Sequence, residues 1–309
     1  MIRRLERERL SSDLAAVDRL VDSASPDDVI GRISLTSRRD QIAAELGALD
    51  SGDPGPQARA ALFFGGDPVK GNLGVDAEFA GKALSGYEDL VTKVWASSQH
   101  GILRRSGPVP GKQAARLHIT GVVQGSFGFE LTELGDSPGE DTFPLRQAVE
   151  QTTRAIAAAA ESDDALADVV DSLDHRAFIA LRDFFSHLKR GHASLRIVSE
   201  DQGKDLSLEA VSAAADRTFS SEMVEDTVSR NGTFSAVLPE GRRFEFRDED
   251  NKLLTGRVSD ELSLADLREM NRTFGNRACA AEFHVVTLSS SGRTRKRYVL
   301  LKLNDSGAA

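Results

Sequence analysis

The sequence predicts an α+β protein in three parts: an N-terminal helical hairpin, an α+β body built on an antiparallel β-hairpin, and a C-terminal small β-barrel of the OB or SH3-like type. Three observations carry that prediction. The stretch RLHITGVVQGSFGFELTEL at Arg116–Leu134 puts Leu117, Ile119, Val123, Phe127, Phe129 and Leu131 on odd positions, with His118, Thr120, Glu130 and Thr132 between them. Period-two alternation is what a strand with one buried face requires, because successive side chains point to opposite faces. Apolar residues on both sides of this hairpin recur at a helical period, Phe79, Ala83, Leu90 and Val94 before it and Phe178, Leu181, Phe185 and Leu188 after it. From Gly232 the texture changes to short alternating runs separated by turn residues and broken once by a helix.

Composition sets the frame. A chain of 309 residues has room for two domains, or for one domain with an appendage, and 40% apolar residues can fill a sizeable core. The single cysteine, Cys279, excludes an intramolecular disulfide and a Cys-rich zinc site; its apolar strand context reads as a small buried hydrophobe. No run approaches the ~18 consecutive apolar residues of a membrane span. The first residues, MIRRLERERL, lack the apolar core of a signal peptide, so a cytoplasmic location is expected.

Net charge is −9 but is unevenly spread. Residues 1–229 carry 25 Lys and Arg against 37 Asp and Glu, whereas residues 230–304 carry 14 against 10. A basic module on an acidic body suits a nucleic-acid binder, and equally suits a contact between two oppositely charged parts of one chain.

Taken in order, Leu10, Leu14, Val17 and Val21 mark one face of a first helix, which Ser25-Pro26-Asp27 ends. Ile42, Leu46 and Leu49 mark a second, with Ser37 as its expected N-cap. This arm, 1–50, buries too little to be stable alone, so it is expected to self-associate or to dock on the body. Ser51–Gln57 reads as a linker. The body, 51–228, follows with a strand at Ala60–Phe64, the glycine-rich run Gly65–Asp76, a helix from Asp76 to Ser97, a turn at Gly107–Gly111 and the hairpin. In the hairpin, Gln124-Gly125-Ser126 supplies the turn, Val123 faces Phe127, His118 faces Thr132 and Thr120 faces Glu130. After an acidic loop at Gly135–Thr142, helix runs from Pro144 to Arg190 with breaks near Ser162 and Ser172, then a strand at Ser194–Ser199 and a helix at Ser207–Ser220. The barrel, 229–304, reads as strands at Thr233–Leu238, Arg242–Arg247 and Lys252–Val258, a helix capped by Ser263, and strands at Ala278–Leu288 and Arg295–Leu303 with Gly292 in the turn. Its strand order suggests a core that folds by itself; residues 305–309 read as a disordered tail.

Four constellations could carry chemistry. The Gly65–Asp76 loop precedes a helix, as phosphate-binding loops do, but Asn72 and Leu73 stand where a Walker loop needs Lys and Ser or Thr. Asp183 and His187 share a helix face, near His192 and Asp174-His175, and are the candidate metal ligands. His118 and Glu130 on facing strands are the candidate acid–base pair. No nucleophile motif accompanies them, and no cofactor is implied. The strongest signal is basic: Arg293, Arg295, Lys296 and Arg297, with Arg242, Arg243, Arg247 and Arg257 on neighbouring strands and Tyr298 as the one aromatic available for base stacking. The reading is therefore a non-catalytic binding or adaptor protein whose barrel takes nucleic acid or an acidic protein surface. The alternative is a metal-dependent hydrolase or nuclease with His118, Glu130, Asp183 and His187 converging in the body.

Overall fold

A computed structural model of the chain describes residues 2–25, 28–51, 57–101, 103–104, 106–123, 127–134, 143–170, 173–290 and 293–305. The break at Pro26-Asp27, most of the linker, the turn Gln124–Ser126, the loop Gly135–Thr142, Ser172, Gly292 and the last four residues lie outside the described residues. Among the described residues no helix is long and apolar enough to cross a membrane.

The elements run α1 (Arg3–Ser23), α2 (Val29–Ser51), β1 (Arg59–Gly66), β2 (Val69–Lys70), β3 (Gly74–Val75), α3 (Ala77–His100), β4 (His118–Val123), β5 (Gly128–Thr132), α4 (Phe143–Glu161), α5 (Asp163–Val170), α6 (His175–Arg190), β6 (Ala193–Ser199), β7 (Gly203–Leu206) and α7 (Leu208–Ser220). The barrel elements follow as β8 (Glu222–Leu238), β9 (Arg243–Asp248), β10 (Leu253–Val258), α8 (Leu264–Phe274), β11 (Arg277–Ser290) and β12 (Arg293–Asp305). Ser37, the expected cap, lies inside α2, because that helix begins at Val29.

The body is a five-stranded antiparallel sheet in the order β4-β5-β1-β6-β7. Its centre is β1, so the Arg116–Leu134 hairpin sits at an edge and is not the element around which the body packs. Ala60, Leu62 and Phe64 of β1 face a large core filled from α3, α4, α6 and α7, including Tyr87, Leu90, Phe178, Phe184 and Phe185. Within the hairpin, His118 pairs with Thr132 as expected, but a bulge between Ile119 and Gly121 sets Gly121 against Glu130 and Val122 against Phe129. An extra residue in one strand reverses the face of everything beyond it. Val123 accordingly pairs with Gly128 instead of Phe127.

The opposite face of the sheet receives the chain's start. Ile2 is fully buried against Ala61, Phe63 and Val198. Ile2 has no capping side chain of its own, and the orphan Arg3 N–H at the start of α1 donates to the Glu200 carboxylate at 3.1 Å. Burial raises the Glu200 pKa, an effect opposed by that N–H and by Arg59 at 3.7 Å. Glu8 pairs with Arg196 of β6, and Arg3 donates to the Leu49 carbonyl of α2. Leu10 of α1 and Ile42 of α2 are buried, while Ile30 is 83% exposed. The start of α1 is therefore fixed to the body. Glu200→Ala should cost about 1 kcal/mol at this helix start and raise hydrogen exchange in the first turns of α1 with the body unchanged. Equal exchange in the variant would show that Glu200 does not hold the arm.

The C-terminal strands close into a barrel in the order β10-β12-β11-β8-β9, with β10 and β12 parallel and the other pairs antiparallel. Its core is Phe234, Phe244, Phe246, Leu254, Cys279, Phe283 and Leu300, closed by Leu267 and Met270 of α8. Ser263 and Asp266 form a reciprocal capping box at the start of that helix. β8 runs unbroken across the expected division at 229, and its first half pairs with the end of β11. Met223, Val286 and Leu288 from this ribbon belong to the core of the body. A piece cut at residue 230 would lose half of β8 and expose Val286 and Leu288, so the barrel's independence does not follow from its strand order.

Candidate nucleic-acid interface

The outer surface of β9 and β10 follows directly from strand alternation. Phe244, Phe246, Leu254 and Val258 point into the barrel, leaving Arg243, Glu245, Arg247, Leu253, Thr255 and Arg257 exposed. The antiparallel register sets Arg243 opposite Arg257, Glu245 opposite Thr255 and Arg247 opposite Leu253. Like charges directly opposite in a ladder destabilise it. Among the described residues neither Arg243 nor Arg257 forms an ion pair. Arg247 donates to Asn251 in the β9–β10 turn.

Arg242, expected beside them as a ligand-binding residue, has a different task. It occupies the left-handed region at φ 48°, and its guanidinium donates to the carbonyls of Ser259 at 2.5 Å and Leu262 at 2.7 Å while pairing with Asp260 at 3.1 Å. It ties the start of β9 to the loop after β10.

The β12 cluster is divided. Arg295 pairs with Asp168 at 2.7 Å and Asp164 at 3.6 Å, both on α5. The basic module thus meets acidic groups of its own body, one of the two outcomes its charge allowed. Lys296 is exposed. Tyr298 packs edge-on against Phe283 at 5.8 Å and is half-buried, which removes it as a free stacking platform. The side chain of Arg293 lies outside the described residues.

Arg297 lies by His284, a buried residue on the outside of the barrel where it meets the body. Glu225 of β8 is 4.0 Å from the imidazole and accepts the His175 N–H at 3.0 Å. Burial lowers the His284 pKa, Arg297 lowers it further, and Asp174 and Asp226 act in the opposite direction. Below its ordinary value of 6.5 the unfolded imidazole takes up a proton that the folded one resists. This contribution to stability is therefore present above that pH and lost as pH falls toward the lowered folded value. His284→Gln should flatten the acid side of the stability curve, measured by urea unfolding between about pH 7 and 5; parallel curves for the two proteins would contradict the assignment.

The catalytic and metal candidates do not converge. His118 and Glu130 lie on the face of the sheet opposite the helices, since their strand neighbours Leu131 and Phe129 face the helical core. Asp183 and His187 belong to α6 on the helical side. His187 stacks on Phe79, ring centroids 4.9 Å apart, and its Nε2 lies 3.0 Å from the Phe79 carbonyl oxygen. Asp183 is exposed beside Arg182. Among the described residues no group of three or more His, Cys, Asp and Glu side chains could hold a metal ion.

The glycine-rich run folds as the small β2–β3 hairpin beside an open cleft of about 640 Å³ lined by Asp67, Lys70, Asp76, Phe79, Arg190 and His192. Asp76 caps α3 by accepting the Phe79 N–H at 2.7 Å. A carboxylate already fills the position a phosphate would take at that helix start, which makes the loop a structural turn. The buried carboxylates of the body are also structural. Glu150, its pKa raised by burial, accepts from the Ser199 hydroxyl at 2.7 Å and the Asp201 N–H at 3.2 Å.

No family model, no curated protein and no solved structure matches this chain.

Proposed function

We propose that the chain is a non-catalytic binding protein that holds single-stranded nucleic acid by its phosphates on the outer face of β9 and β10. The observation that carries this reading is the Arg243–Arg257 pair: two exposed guanidinium groups, directly opposite, with no carboxylate partner among the described residues. A phosphate between them turns a repulsive pair into a charge-assisted one, and arginine's planar fork suits that geometry. We read the barrel as OB-type. Support comes from the closed order in which the third and fifth strands run parallel, with a helix between the third and fourth. In that architecture the second and third strands form the binding face. The inward aromatics favour backbone contact over base readout on this face. We also read α1 and α2 as an antiparallel helical hairpin, supported by the Arg3–Leu49 hydrogen bond at its root.

The test is fluorescence anisotropy of a labelled oligothymidylate with the full chain at low salt. Arg243→Ala with Arg257→Ala should weaken binding by about tenfold or more, since charge-assisted hydrogen bonds are worth about 1.5–3 kcal/mol. Folding stability should change by about 1 kcal/mol or less. No binding by the wild type, or equal binding by the double variant, overturns the proposal. An acidic protein surface would then be the remaining class of partner.

A further inference from the structure

The loop between α3 and β4 is rich in cations. From His100 to Arg116 the sequence has no Asp or Glu, and Arg104, Lys112 and Arg116 are exposed. Among the described residues none of these three forms an ion pair.

Several described residues of the loop are held by α6 and α3. Arg176, at the start of α6, donates to the carbonyls of Gly107 at 2.9 Å and Arg104 at 3.4 Å. Asp174 accepts the Leu103 N–H at 3.0 Å. Gly111 adopts φ 63° and passes over Trp95 so closely that a Cβ would sit 2.7 Å from its ring, which only glycine permits. His100, exposed, meets the half-buried Trp95 edge-on, centroids 5.7 Å apart.

Position links this loop to the barrel. A Cβ on Gly101 would lie 4.0 Å from the Glu261 carboxylate, in the loop that follows β10. Arg242 ties that same loop to the start of β9. Arg243 begins β9 and Arg257 lies at the end of β10, so both stand at the end of the barrel whose Ser259–Leu262 loop approaches Gly101. Of the two acids in the Ser259–Leu262 loop, Asp260 is paired with Arg242, leaving Glu261 at the crossing.

We infer that this loop is a second contact surface for the same nucleic acid. A single strand held at the Arg243–Arg257 pair passes the Glu261 carboxylate, which opposes it, and is held again by Arg104, Lys112 and Arg116. A base there lies against the exposed His100 imidazole, whose edge-on contact with Trp95 makes that indole the reporter of binding. This inference rests on the reading of the barrel face and extends it onto the body. Cations that track the backbone beside aromatic side chains are how sequence-independent single-strand sites are built.

Trp95 is the single tryptophan of the chain, so its emission reports on this surface alone. The experiment titrates the full chain with oligothymidylate at low salt, following Trp95 fluorescence and, in parallel, anisotropy of the labelled strand. Binding should quench Trp95. Arg104→Ala with Lys112→Ala and Arg116→Ala should weaken binding by about tenfold or more, abolish the quenching and reduce the salt slope by about 2, three phosphates at ~0.7 each. Unchanged Trp95 emission, with binding by anisotropy unaffected in the triple variant, overturns the inference and leaves the barrel reading standing. The reverse pattern, in which Arg243→Ala with Arg257→Ala is silent and the loop variant is not, upholds this surface and overturns the barrel face. A circular-dichroism melt matching the wild type establishes that the variants are folded, and failure of the wild type to bind overturns both.

Discussion

Gly256→Val is expected to open the barrel. β10 and β12 are parallel neighbours, and Gly256 stands opposite Tyr298 in that ladder. A Cβ at this position would fall inside the van der Waals envelope of the Tyr298 carbonyl oxygen and 2.9 Å from the Phe244 ring. The obstruction is backbone on one side and a core ring on the other, and neither can swing aside as a flexible side chain would. The closing ladder must separate, at a cost on the order of 3 kcal/mol. Because Val286 and Leu288 of β11 belong to the core of the body, urea unfolding of the full chain should register the loss as a lower midpoint. An unchanged midpoint would show that β10 and β12 do not approach as described.

Phe283→Ala should have an effect of similar or larger size. Phe283 is fully buried at the centre of the barrel, with ring centroids 5.3 Å from both Phe244 and Phe246 and 5.8 Å from Tyr298. Removing a buried aromatic ring costs about 3–5 kcal/mol through lost transfer energy and the cavity left behind. Three aromatic contacts disappear with it, each worth about 0.5–1.5 kcal/mol beyond its area. The variant should lose cooperative unfolding at lower urea, and a loss below about 1 kcal/mol would contradict a single packed barrel core.

The sequence displayed the barrel because its inward positions are apolar and its turns carry turn residues. Phe244 and Phe246 alternate with Arg243, Glu245 and Arg247, and Ser263 with Asp266 marks the start of α8 unmistakably. The first half of β8 was hidden by inverted hydropathy. There Val224 is exposed while Glu225 is buried against the body, satisfied by the His175 N–H, so the alternation runs against the usual polarity. The bulge at Thr120 has no marker beyond the neighbouring Gly121, and it moved the hairpin's pairing by one residue. The docking of α1 depends on Ile2 and Glu200, which are far apart in sequence, and no local pattern connects them.

The candidate sites divide along the same line. Strand alternation was enough to put Arg243, Arg247 and Arg257 on one outer surface. It could not show that Arg295 meets Asp164 and Asp168, that Tyr298 packs inward, or that Arg242 braces the loop after β10. Those are tertiary contacts between segments whose separation in sequence carries no signal. The cations of the α3–β4 loop did carry one, the absence of any Asp or Glu from His100 to Arg116, and it stands out once the loop is seen beside the barrel.

The most direct test of the Arg243–Arg257 face is the salt dependence of oligothymidylate binding by the full chain, compared with Arg243→Ala with Arg257→Ala. Phosphate contacts release counterions, so log K should fall linearly with log salt, by ~0.7 for each phosphate neutralised on a single strand. The wild type should show a steep slope, and the double variant a slope smaller by about 1.4, two phosphates fewer. Binding that is independent of salt, or equal slopes for the two proteins, would contradict it.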